Sequence, residues 1–470
     1  MRCIGLRGGW AALFILAACD GGTELPPARV EAPAPPSVDD TPSSQQEPPP
    51  VVSPPLPAAR CMPRPAEPAP LFTNERGQPR SWVPVGPALD ANPERNTPQS
   101  RLGLAVEPTG APVVSWGEYN GAVWGYFFRR AEGNAWSQAA ASVFPLPAAT
   151  FSMPTRPAFT VDSQGRPVMV LSEATGLYTG TIRVRRWDGQ SWEILGLGLQ
   201  AAHNRLTRVT SAALAFNCSG EPVVAWGESG PGEPSVGIHV SQWNGTSWQR
   251  MGERLGAYPD GVLGDGSNAD RPSLAVDSRG FPIVAWDESA MREFIDRVHV
   301  RQWDGGQWLP VGGGVASEDL PSKGNSYLPS LVLDGADVPY LTWTQWDSRG
   351  EGAQVVNQVR RFSGDQWAGS LAPGPRSEPV LAALGSRVFV LFAREEQLEV
   401  HTWDGQAWRP VGGRLQALPG ATKLGEWALA VDPRGLPVVA WIEYTRNPIP
   451  SGSGGGGDEG ETQVHVWRFQ

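Results

Sequence analysis

One unit recurs along the chain, and the way its last copy is divided constrains the fold more than any other feature. The clearest copy is RPSLAVDSRGFPIVAWDES, then a loop, then RVHVRQWDGGQWLPVGGG, over residues 271–314. It contains four short apolar runs, termed strands a, b, c and d. The a–b and c–d turns are rich in Asp, Gly and Pro, which favour tight hairpins. Each unit is therefore predicted to form a four-stranded antiparallel sheet.

The seventh copy is split between the two ends of the chain. Strand a begins near Arg101, Arg156, Ser211, Arg271, Leu328, Ser377 and Glu426. The last copy ends in QVHVWRFQ (463–470) and has no strand d, whereas RSWVPVGPAL (80–89) is a strand d that precedes the first strand a. A closed ring explains this division, because pairing of the first strand with the last unit locks the circle and protects strand edges.

We therefore predict an all-β protein, a seven-bladed β-propeller of four-stranded blades over residues 81–470, closed by pairing of the N-terminal strand with the C-terminal blade. Two stacked β-sandwich domains are the alternative, but they leave the split unit unexplained. Tryptophan supports the repeat, since 16 of the 21 Trp recur in strand b, at the end of strand c or at the start of strand d. Each is expected to bury about 150–250 Å² between blades.

The repeats resemble those of known propellers. The WDGxxW turn between strands c and d is similar to the Asp box of sialidase-like propellers, and repeat length and Trp use are similar to those of kelch propellers. The sialidase arginine triad and Tyr–Glu nucleophile pair have no counterpart in this sequence. The resemblance therefore implies architecture and not sialidase activity.

The N-terminus has the pattern of an export signal. Arg2 and Arg7 precede the short apolar run WAALFILAA (10–18), and LAAC ends at Cys19. This pattern resembles the bacterial lipobox, which implies a signal peptide over residues 1–18, cleavage before Cys19 and lipidation of its thiol. The expected location is the bacterial cell envelope, at the outer membrane and cell surface or on the periplasmic face. The sequence does not indicate which membrane, or which leaflet of it, holds the lipid anchor.

Residues 19–80 are predicted to be a lipidated cysteine followed by a disordered stalk, since 16 of the 47 Pro lie between Pro26 and Pro70. Removal of the signal peptide and lipidation of Cys19 leave two cysteines, so a Cys61–Cys218 disulfide is predicted in an oxidising compartment. The net charge of −10 argues against nucleic acid as a partner. The oligomeric state stays open.

A carboxylate follows strand b in five blades, on the face that carries the long b–c and d–a connections. These residues are Glu118, Glu173, Glu228, Glu288 and Glu443. Pairing about the a–b turn is expected to place Arg101, Arg156 and Arg271 opposite the glutamate of their own blade, as ion pairs. Glu228 and Glu443 lack such an arginine and are the better functional candidates.

Aromatic residues gather in or beside the same connections: Tyr119, Tyr178, Tyr258, Tyr327, Tyr444, Trp346 and Trp427. Variable loops on a rigid scaffold commonly carry binding residues, and aromatic rings with polar edges suit glycan or protein ligands. Incidental packing of loops at the rim is the alternative.

The candidate ligand-binding residues are Glu118, Tyr119, Tyr178, Glu228, Glu288, Trp346, Trp427, Glu443 and Tyr444.

No nucleophile motif, cofactor motif or metal-ligand spacing occurs in the sequence, so no catalytic residue, cofactor or metal is assigned. We interpret the chain as a lipid-anchored binding module for a glycan or a protein, which acts through the long-loop face. One alternative is a glycoside hydrolase or lyase that uses two carboxylates from Glu118, Glu228, Glu288 and Glu443. The other is a purely structural or assembly lipoprotein.

Overall fold

The structure is a computed structural model that describes residues 68–90, 99–119, 124–137, 158–176, 179–199, 208–229, 236–256, 267–290, 295–315, 325–347, 354–371, 378–394, 396–416, 421–445 and 461–470. These residues form 29 β-strands in seven antiparallel sheets. In this part of the chain, no helix is long and apolar enough to cross a membrane.

The strands follow the repeat. Blade 1 contains β2 (Gln99–Val106), β3 (Pro112–Tyr119), β4 (Trp124–Glu132) and β5 (Ala135–Trp136). Blade 2 contains β6 (Ala158–Val161), β7 (Pro167–Gly176), β8 (Thr179–Trp187) and β9 (Trp192–Ile194). Blade 3 contains β10 (Arg208–Phe216), β11 (Pro222–Ser229), β12 (Gly237–Trp243) and β13 (Trp248–Arg250). Blade 4 contains β14 (Ser267–Val276), β15 (Pro282–Ala290), β16 (Ile295–Trp303) and β17 (Trp308–Val315).

The remaining blades have the same order. Blade 5 contains β18 (Asn325–Leu333), β19 (Pro339–Asp347), β20 (Gln354–Ser363) and β21 (Gln366–Leu371). Blade 6 contains β22 (Val380–Leu384), β23 (Arg387–Arg394), β24 (Gln397–Trp403) and β25 (Trp408–Pro410), and the short β26 (Leu415–Gln416) also pairs with β24. Blade 7 contains β27 (Ala421–Val431), β28 (Pro437–Thr445), β29 (Glu461–Phe469) and β1 (Trp82–Pro84).

The a strands of consecutive blades contact one another around the ring, which places strand a at the axis and strand d outside. Within every sheet the strands are neighbours in the order a, b, c, d. This arrangement confirms the predicted seven-bladed β-propeller. It also defines two ends of the axial channel: the end with the short a–b and c–d turns, and the end with the b–c and d–a connections, termed the long-loop end.

The N-terminal strand belongs to the sheet of the C-terminal strands. Trp82 lies opposite Phe469 and Pro84 opposite Trp467, and the backbone N–H groups of Val85 and Leu89 donate to the last strand. Val85 and Leu89 are buried in an apolar cluster that blade 7 shares with blade 1. The first and last segments of the folded chain are therefore packed as one blade.

Adjacent blades are joined by a repeated contact between tryptophan and glycine. Trp308 Nε1 donates to Met251 O of the preceding blade at 2.7 Å. The next residue, Gly252, has φ +69, and a Cβ there would lie 2.7 Å from Trp303 Cζ3. Only glycine combines this backbone conformation with so close an approach of the indole ring. This explains why Gly follows strand d in the repeat.

The a–b turns contact one another around the short-turn end. In four blades the turn is held by the aspartate after strand a, as in blade 4, where Asp277 Oδ1 accepts from the N–H groups of Arg279 and Phe281. In blade 3 the Asn217 side chain has the same role. Contacts that join a turn to the turn of the next blade include Cys218 with Ser278, Ser278 with Asp337, Gly335 with Gly385 and Arg387 with Gly435. These contacts join the a–b turns of blades 3 to 7 at this end.

Residues 68–80, which the predicted boundary assigns to the stalk, pack on blades 6 and 7 at the short-turn end. Ala69 N donates to Arg434 O, and Arg387 donates to Ala69 O. Leu71 lies against the apolar cluster of these two blades. The folded part therefore includes residues before 81, because the Pro-rich composition gives way near residue 71 to a turn formed by Asn74 and Gln78.

Cys218 lies in the a–b turn of blade 3 and is disulfide-bonded. Its predicted partner, Cys61, lies outside the described residues, so the Cys61–Cys218 pairing stays a prediction. The signal peptide and the lipidation site Cys19 also lie outside the described residues.

Candidate functional site

Strand a of blade 4 contains a β-bulge at the long-loop end. The register between β14 and β15 shifts between Asp270 and Ser273. Within the bulge, Arg271 has φ 49, in the left-handed region, and Leu328 at the same position of blade 5 has φ 59. A residue with a side chain adopts this conformation at a cost of about 1–2 kcal/mol, so its surroundings must hold it there. Such strain often marks ligand sites.

The side chain that holds Arg271 is Asp287 in strand b. Arg271 Nε lies 2.7 Å from Asp287 Oδ2, and the Leu328 N–H donates to the same oxygen at 2.9 Å. The Asp287 side chain is 3% exposed and that of Arg271 is 43% exposed. Burial raises the pKa of Asp287 to about 6, although Arg271 acts to lower it. A buried carboxylate therefore orients a guanidinium whose outer part faces solvent.

A residue of blade 3 also contacts the bulge that contains Arg271. Ser211 Oγ donates to Asp270 Oδ1 at 2.6 Å, and the backbone N–H of Arg271 lies 2.8 Å from Ser211 Oγ. Asp270 Oδ1 also accepts from the Arg271 N–H at 2.7 Å. These bonds fix the bulge against the neighbouring blade, so the position of Arg271 is defined by blades 3, 4 and 5 together.

Tyr327, at the start of strand a in blade 5, lies beside this guanidinium. Arg271 Cζ is 5.9 Å from the centre of the Tyr327 ring. Burial raises the pKa of Tyr327, Arg271 counteracts this, and Glu378 and Asp296 raise it further. We term five residues at the long-loop end the mouth cluster: Ser211, Asp270, Arg271, Asp287 and Tyr327. Four of them lie near the start of strand a in blades 3, 4 and 5, and Asp287 lies near the end of strand b in blade 4.

The bulge overturns the predicted Arg–Glu pairs. Arg271 pairs with Asp287, whereas Glu288 lies opposite Ala269. In blade 1 a bulge at the corresponding place puts Gln99 opposite Glu118. The prediction assumed an uninterrupted hairpin, and the inserted residues shift the partner along the strand.

Blade 2 also differs from the predicted pairing. Glu173 accepts from Arg183 at 2.9 Å and from Arg185 at 2.6 Å, both in strand c of its own blade. The predicted partner, Arg156, lies outside the described residues. The arginines that contact Glu173 thus lie in strand c, whereas the predicted partner belongs to strand a.

The glutamates after strand b are buried between blades. In three blades the strand-b tryptophan donates its indole N–H to the glutamate two residues later, at 2.7–2.8 Å: Trp116 to Glu118, Trp226 to Glu228 and Trp286 to Glu288. All five glutamates are at most 5% exposed. Tryptophan and glutamate share one strand face, which packs on the preceding blade, so these carboxylates lie in the contact between blades.

Three histidines complete this arrangement in strand c. His239, His299 and His465 lie opposite the strand-b tryptophan, with ring centres 5.4–5.6 Å apart. Burial, reinforced by Arg250 and Arg254, lowers the pKa of His239 to about 3, and Arg250 Nη2 lies 3.1 Å from His239 Nδ1. His239 is therefore neutral in the folded protein and accepts a hydrogen bond from Arg250.

Glu228 and Glu443, the two preferred candidates, are both buried. Glu228 is fully buried beside Trp226. Glu443 is 1% exposed, and its Oε2 lies 2.9 Å from His465 Nε2. Among the described residues, no group of three or more His, Cys, Asp or Glu side chains is placed to hold a metal ion.

Of the seven predicted aromatic residues, Tyr327 belongs to the mouth cluster. The side chains of Tyr119 and Trp346 and the whole of Tyr178 and Tyr258 lie outside the described residues. Trp427 and Tyr444 are partly buried in strands a and b of blade 7. Trp427 Nε1 donates to Glu378 O at 2.8 Å, so blade 7 and blade 6 are joined at the long-loop end.

Sequence reasoning missed Asp287, although the repeat contains a signal for it. The residue after the strand-b tryptophan is uncharged in the other four blades that have this tryptophan, namely Gly117, Gly227, Thr344 and Ile442, whereas blade 4 has Asp287. A charged residue at a position that is uncharged in these sister blades is a departure from the repeat. Departures from the repeat, rather than its regular positions, point to the mouth cluster.

No protein-family model and no curated protein matches the sequence. Solved structures do match in fold. The polysaccharide lyase Uly1 has a TM-score of 0.50 at 10% identity, over 76% of this chain and 88% of the lyase. The GH93 α-L-arabinofuranosidase of Fusarium graminearum, with arabinobiose, has a TM-score of 0.46 at 12% identity, over 69% and 95%. A lectin of Aleuria aurantia has 0.39 at 15% identity, over 69% and 98%. At 10% identity, the similarity to the lyase is one of fold alone.

Proposed function

We propose that this protein is a binding module for a hydroxyl-rich ligand, a glycan, which it recognises through the mouth cluster at the long-loop end. The observation that carries the proposal is Arg271, held in a left-handed conformation by the buried Asp287. A strained backbone and a buried charge both cost free energy, and their combination at the end of a channel supports a ligand site.

The chemistry of the mouth cluster suits hydroxyl groups. The planar guanidinium of Arg271 presents several donors in fixed directions, and the carboxylate of Asp270 is an acceptor within the same cluster. The ring of Tyr327 adds an aromatic face with a polar edge. Adjacent sugar hydroxyls require such a mixture of fixed donors, acceptors and an apolar face.

Catalysis is the second candidate, since burial raises the pKa of Asp287 to about 6. A carboxylic acid with such a pKa is a general-acid candidate. However, Asp287 is buried and its Oδ2 already accepts from Arg271 and Leu328. These contacts support a positioning role, and the other carboxylates that the sequence suggested for catalysis lie between blades. Bond cleavage in a bound polysaccharide would favour the enzyme instead.

Binding is tested by substitution of Arg271 with lysine, which keeps the charge beside Asp287 but loses the planar donor fork. Isothermal titration calorimetry, with glycans first selected on an array, is expected to show at least about tenfold weaker binding by Arg271→Lys. The matched control is Arg279→Lys, because Arg279 pairs with the buried Asp277 at the opposite end of blade 4. Wild-type affinity in Arg271→Lys, or no glycan bound by the wild type, contradicts the proposal.

We also propose that the module is exported and tethered by lipid to the bacterial cell envelope. The support is the sequence alone: the basic start, the apolar run 10–18 and the LAAC motif at Cys19. Residues 68–71 join blades 6 and 7 at the short-turn end, so the chain enters at the end opposite the mouth cluster. Metabolic labelling tests the tether: the wild type is expected to incorporate radiolabelled palmitate and Cys19→Ser is not, and equal incorporation by the two proteins, or none by the wild type, refutes it.

A further inference from the structure

One carboxylate oxygen connects two blades at the mouth cluster. Asp287 Oδ2 accepts from Arg271 Nε of its own blade at 2.7 Å and from the backbone N–H of Leu328 of blade 5 at 2.9 Å. Arg271 and Leu328 occupy the same repeat position, near the start of strand a. The side chain of Asp287 therefore contacts the start of two neighbouring inner strands at once.

Both residues that donate to Asp287 have a left-handed backbone. Among the described residues, four residues other than glycine have positive φ, and two of these, Asp337 and Glu396, lie in hairpin turns. The other two are Arg271 and Leu328, with φ 49 and 59. Such residues adopt this conformation within a strand only where contacts hold them there. The contact that the two strained residues share is the same oxygen of Asp287.

A carboxylate is not required to bind the N–H of an inner strand. Two such N–H groups donate to serine hydroxyls of the preceding blade: Leu331 to Ser273 Oγ at 2.9 Å and Leu381 to Ser330 Oγ at 3.1 Å. A hydroxyl does not titrate between pH 4 and 8, whereas a carboxylic acid can. What Asp287 adds at Leu328 is therefore a charge, which also holds Arg271 and which depends on pH.

The surroundings of Asp287 favour its neutral form more than those of an exposed carboxylate. Its side chain is 3% exposed, and burial raises its pKa to about 6, although Arg271 and the Leu328 N–H act to lower it. The described charged or titratable groups at the long-loop end of the strands that pack against this side chain are Asp270 and Arg271 on strand a, Asp296 and Arg297 on strand c, and Tyr327 on blade 5. The charges of Asp270 and Asp296 also act on Arg271, so they attract its guanidinium once Asp287 is protonated.

We infer that Asp287 is a positioning residue that makes glycan binding depend on pH: its carboxylate form holds Arg271 and Leu328 in the binding arrangement, and its protonated form releases them. This inference rests on the proposed function and adds the regulation of the same site. Protonation replaces two charge-assisted hydrogen bonds by weaker neutral ones, so Arg271 no longer presents its donors in fixed directions. Glycan affinity therefore falls as Asp287 is protonated. Conversely, a bound glycan lowers the pKa of Asp287, because the coupling is reciprocal.

The first measurement uses the full chain without a ligand. Side-chain carboxyl and arginine Nε–H signals are followed by NMR from about pH 7.5 to 4.5, and their loss in Asp287→Asn and Arg271→Lys assigns the two signals of interest. The Asp287 carboxyl and the Arg271 Nε–H are expected to shift together, with one midpoint at about pH 6. An Arg271 signal that stays unchanged while Asp287 is protonated would show that the guanidinium keeps its place, which contradicts the inference.

The second measurement is binding at two pH values. An array of immobilised neutral oligosaccharides, which do not titrate in this range, is probed with the wild type at about pH 7.5 and pH 5, and the tightest binder is titrated by calorimetry. Affinity is expected to be about tenfold lower at pH 5, because a pKa of about 6 leaves the carboxylate form in only about one molecule in eleven there.

Substitution assigns the pH dependence to Asp287. Asp287→Asn cannot ionise, so at pH 7.5 it is expected to bind about tenfold more weakly than the wild type, with no further loss at pH 5. Asp277→Asn is the matched control, because Asp277 is also buried and pairs with Arg279 at the opposite end of the same blade. It is expected to keep the pH dependence of the wild type. If Asp287→Asn does not fold, the wild type decides: the midpoint of binding must coincide with that of the Asp287 carboxyl signal.

The outcomes separate this inference from the proposed function. If an oligosaccharide binds and Arg271→Lys weakens it, but affinity is equal at the two pH values or higher at pH 5, the inference is wrong and the proposed function stands. The same holds if Asp287→Asn keeps the pH dependence of the wild type. If no neutral oligosaccharide binds at either pH, the inference is overturned, and if no glycan of any charge binds, the proposed function fails with it.

Discussion

A chain that begins at residue 91 is expected to lose cooperative folding, whereas a chain that begins at residue 68 is expected to keep it. The shorter chain lacks Trp82, Val85 and Leu89, of which the last two are buried between blades 7 and 1. Loss of a large buried side chain typically costs about 2–5 kcal/mol, so loss of the whole strand is comparable with the stability of a typical domain. The exposed edge of β29 would also invite association.

Urea unfolding followed by tryptophan fluorescence, together with light scattering, measures this effect. The chain from residue 68 is the matched control, because it also lacks Cys61 and the stalk but retains the N-terminal strand. We expect the free energies of unfolding of the two chains to differ by at least about 5 kcal/mol, or the shorter chain to give no soluble monomer. Equal stability would show that β1 is dispensable and that the ring does not depend on its own first strand.

The second large effect is a loss of stability in acid that depends on His239. Burial lowers the pKa of this histidine to about 3 in the folded protein, against 6.5 for the unperturbed group. Above about pH 6.5, His239 is neutral in both the folded and the unfolded protein, so it does not make the stability depend on pH there. As the pH falls from about 6.5 to 3, the unfolded chain binds a proton that the folded chain does not. Stability therefore decreases, by up to about 4 kcal/mol.

The measurement is the free energy of unfolding against pH for the wild type and His239→Gln. Glutamine does not titrate and can still accept from Arg250, so the variant is expected to lose less stability in acid. Asp287 acts in the opposite direction, because its raised pKa stabilises the fold as the pH falls from about 6 to 3.8. Both proteins contain Asp287, so its effect cancels when the unfolding free energy of one is subtracted from that of the other. Parallel pH curves for both would contradict the assigned pKa.

The contact between Arg271 and Asp287 illustrates where inference from the sequence stopped. The sequence placed an arginine at the start of strand a and a carboxylate at the end of strand b, and both positions were correct. The partner was wrong by one residue, because a β-bulge has no reliable signature in one sequence. In a strand, a shift of one residue exchanges the two faces. Glu288 therefore lies toward blade 3, and Asp287 holds the arginine.

The tryptophans were easier to interpret because they are repeated from blade to blade. They recur at the same position in most blades, and Trp116, Trp286, Trp343 and Trp441 are all buried to at least 98%. A repeated large apolar residue has one explanation, the interface between blades, which every copy shares. The glutamates after strand b are repeated in the same way, and they too are buried at that interface.

The sequence by itself determined the seven-bladed ring, because the spacing of the repeats and the division of the last unit leave one closed arrangement. Periodic apolar strands and tight turns are local properties, and they can be recognised without coordinates. Only the tertiary structure decided which carboxylates serve the fold and which hold Arg271. That choice depends on bulges and on contacts between blades, where residues about 60 positions apart, such as Ser211 and Asp270, meet. Separation in sequence carries no information about such pairs until the sheets are stacked.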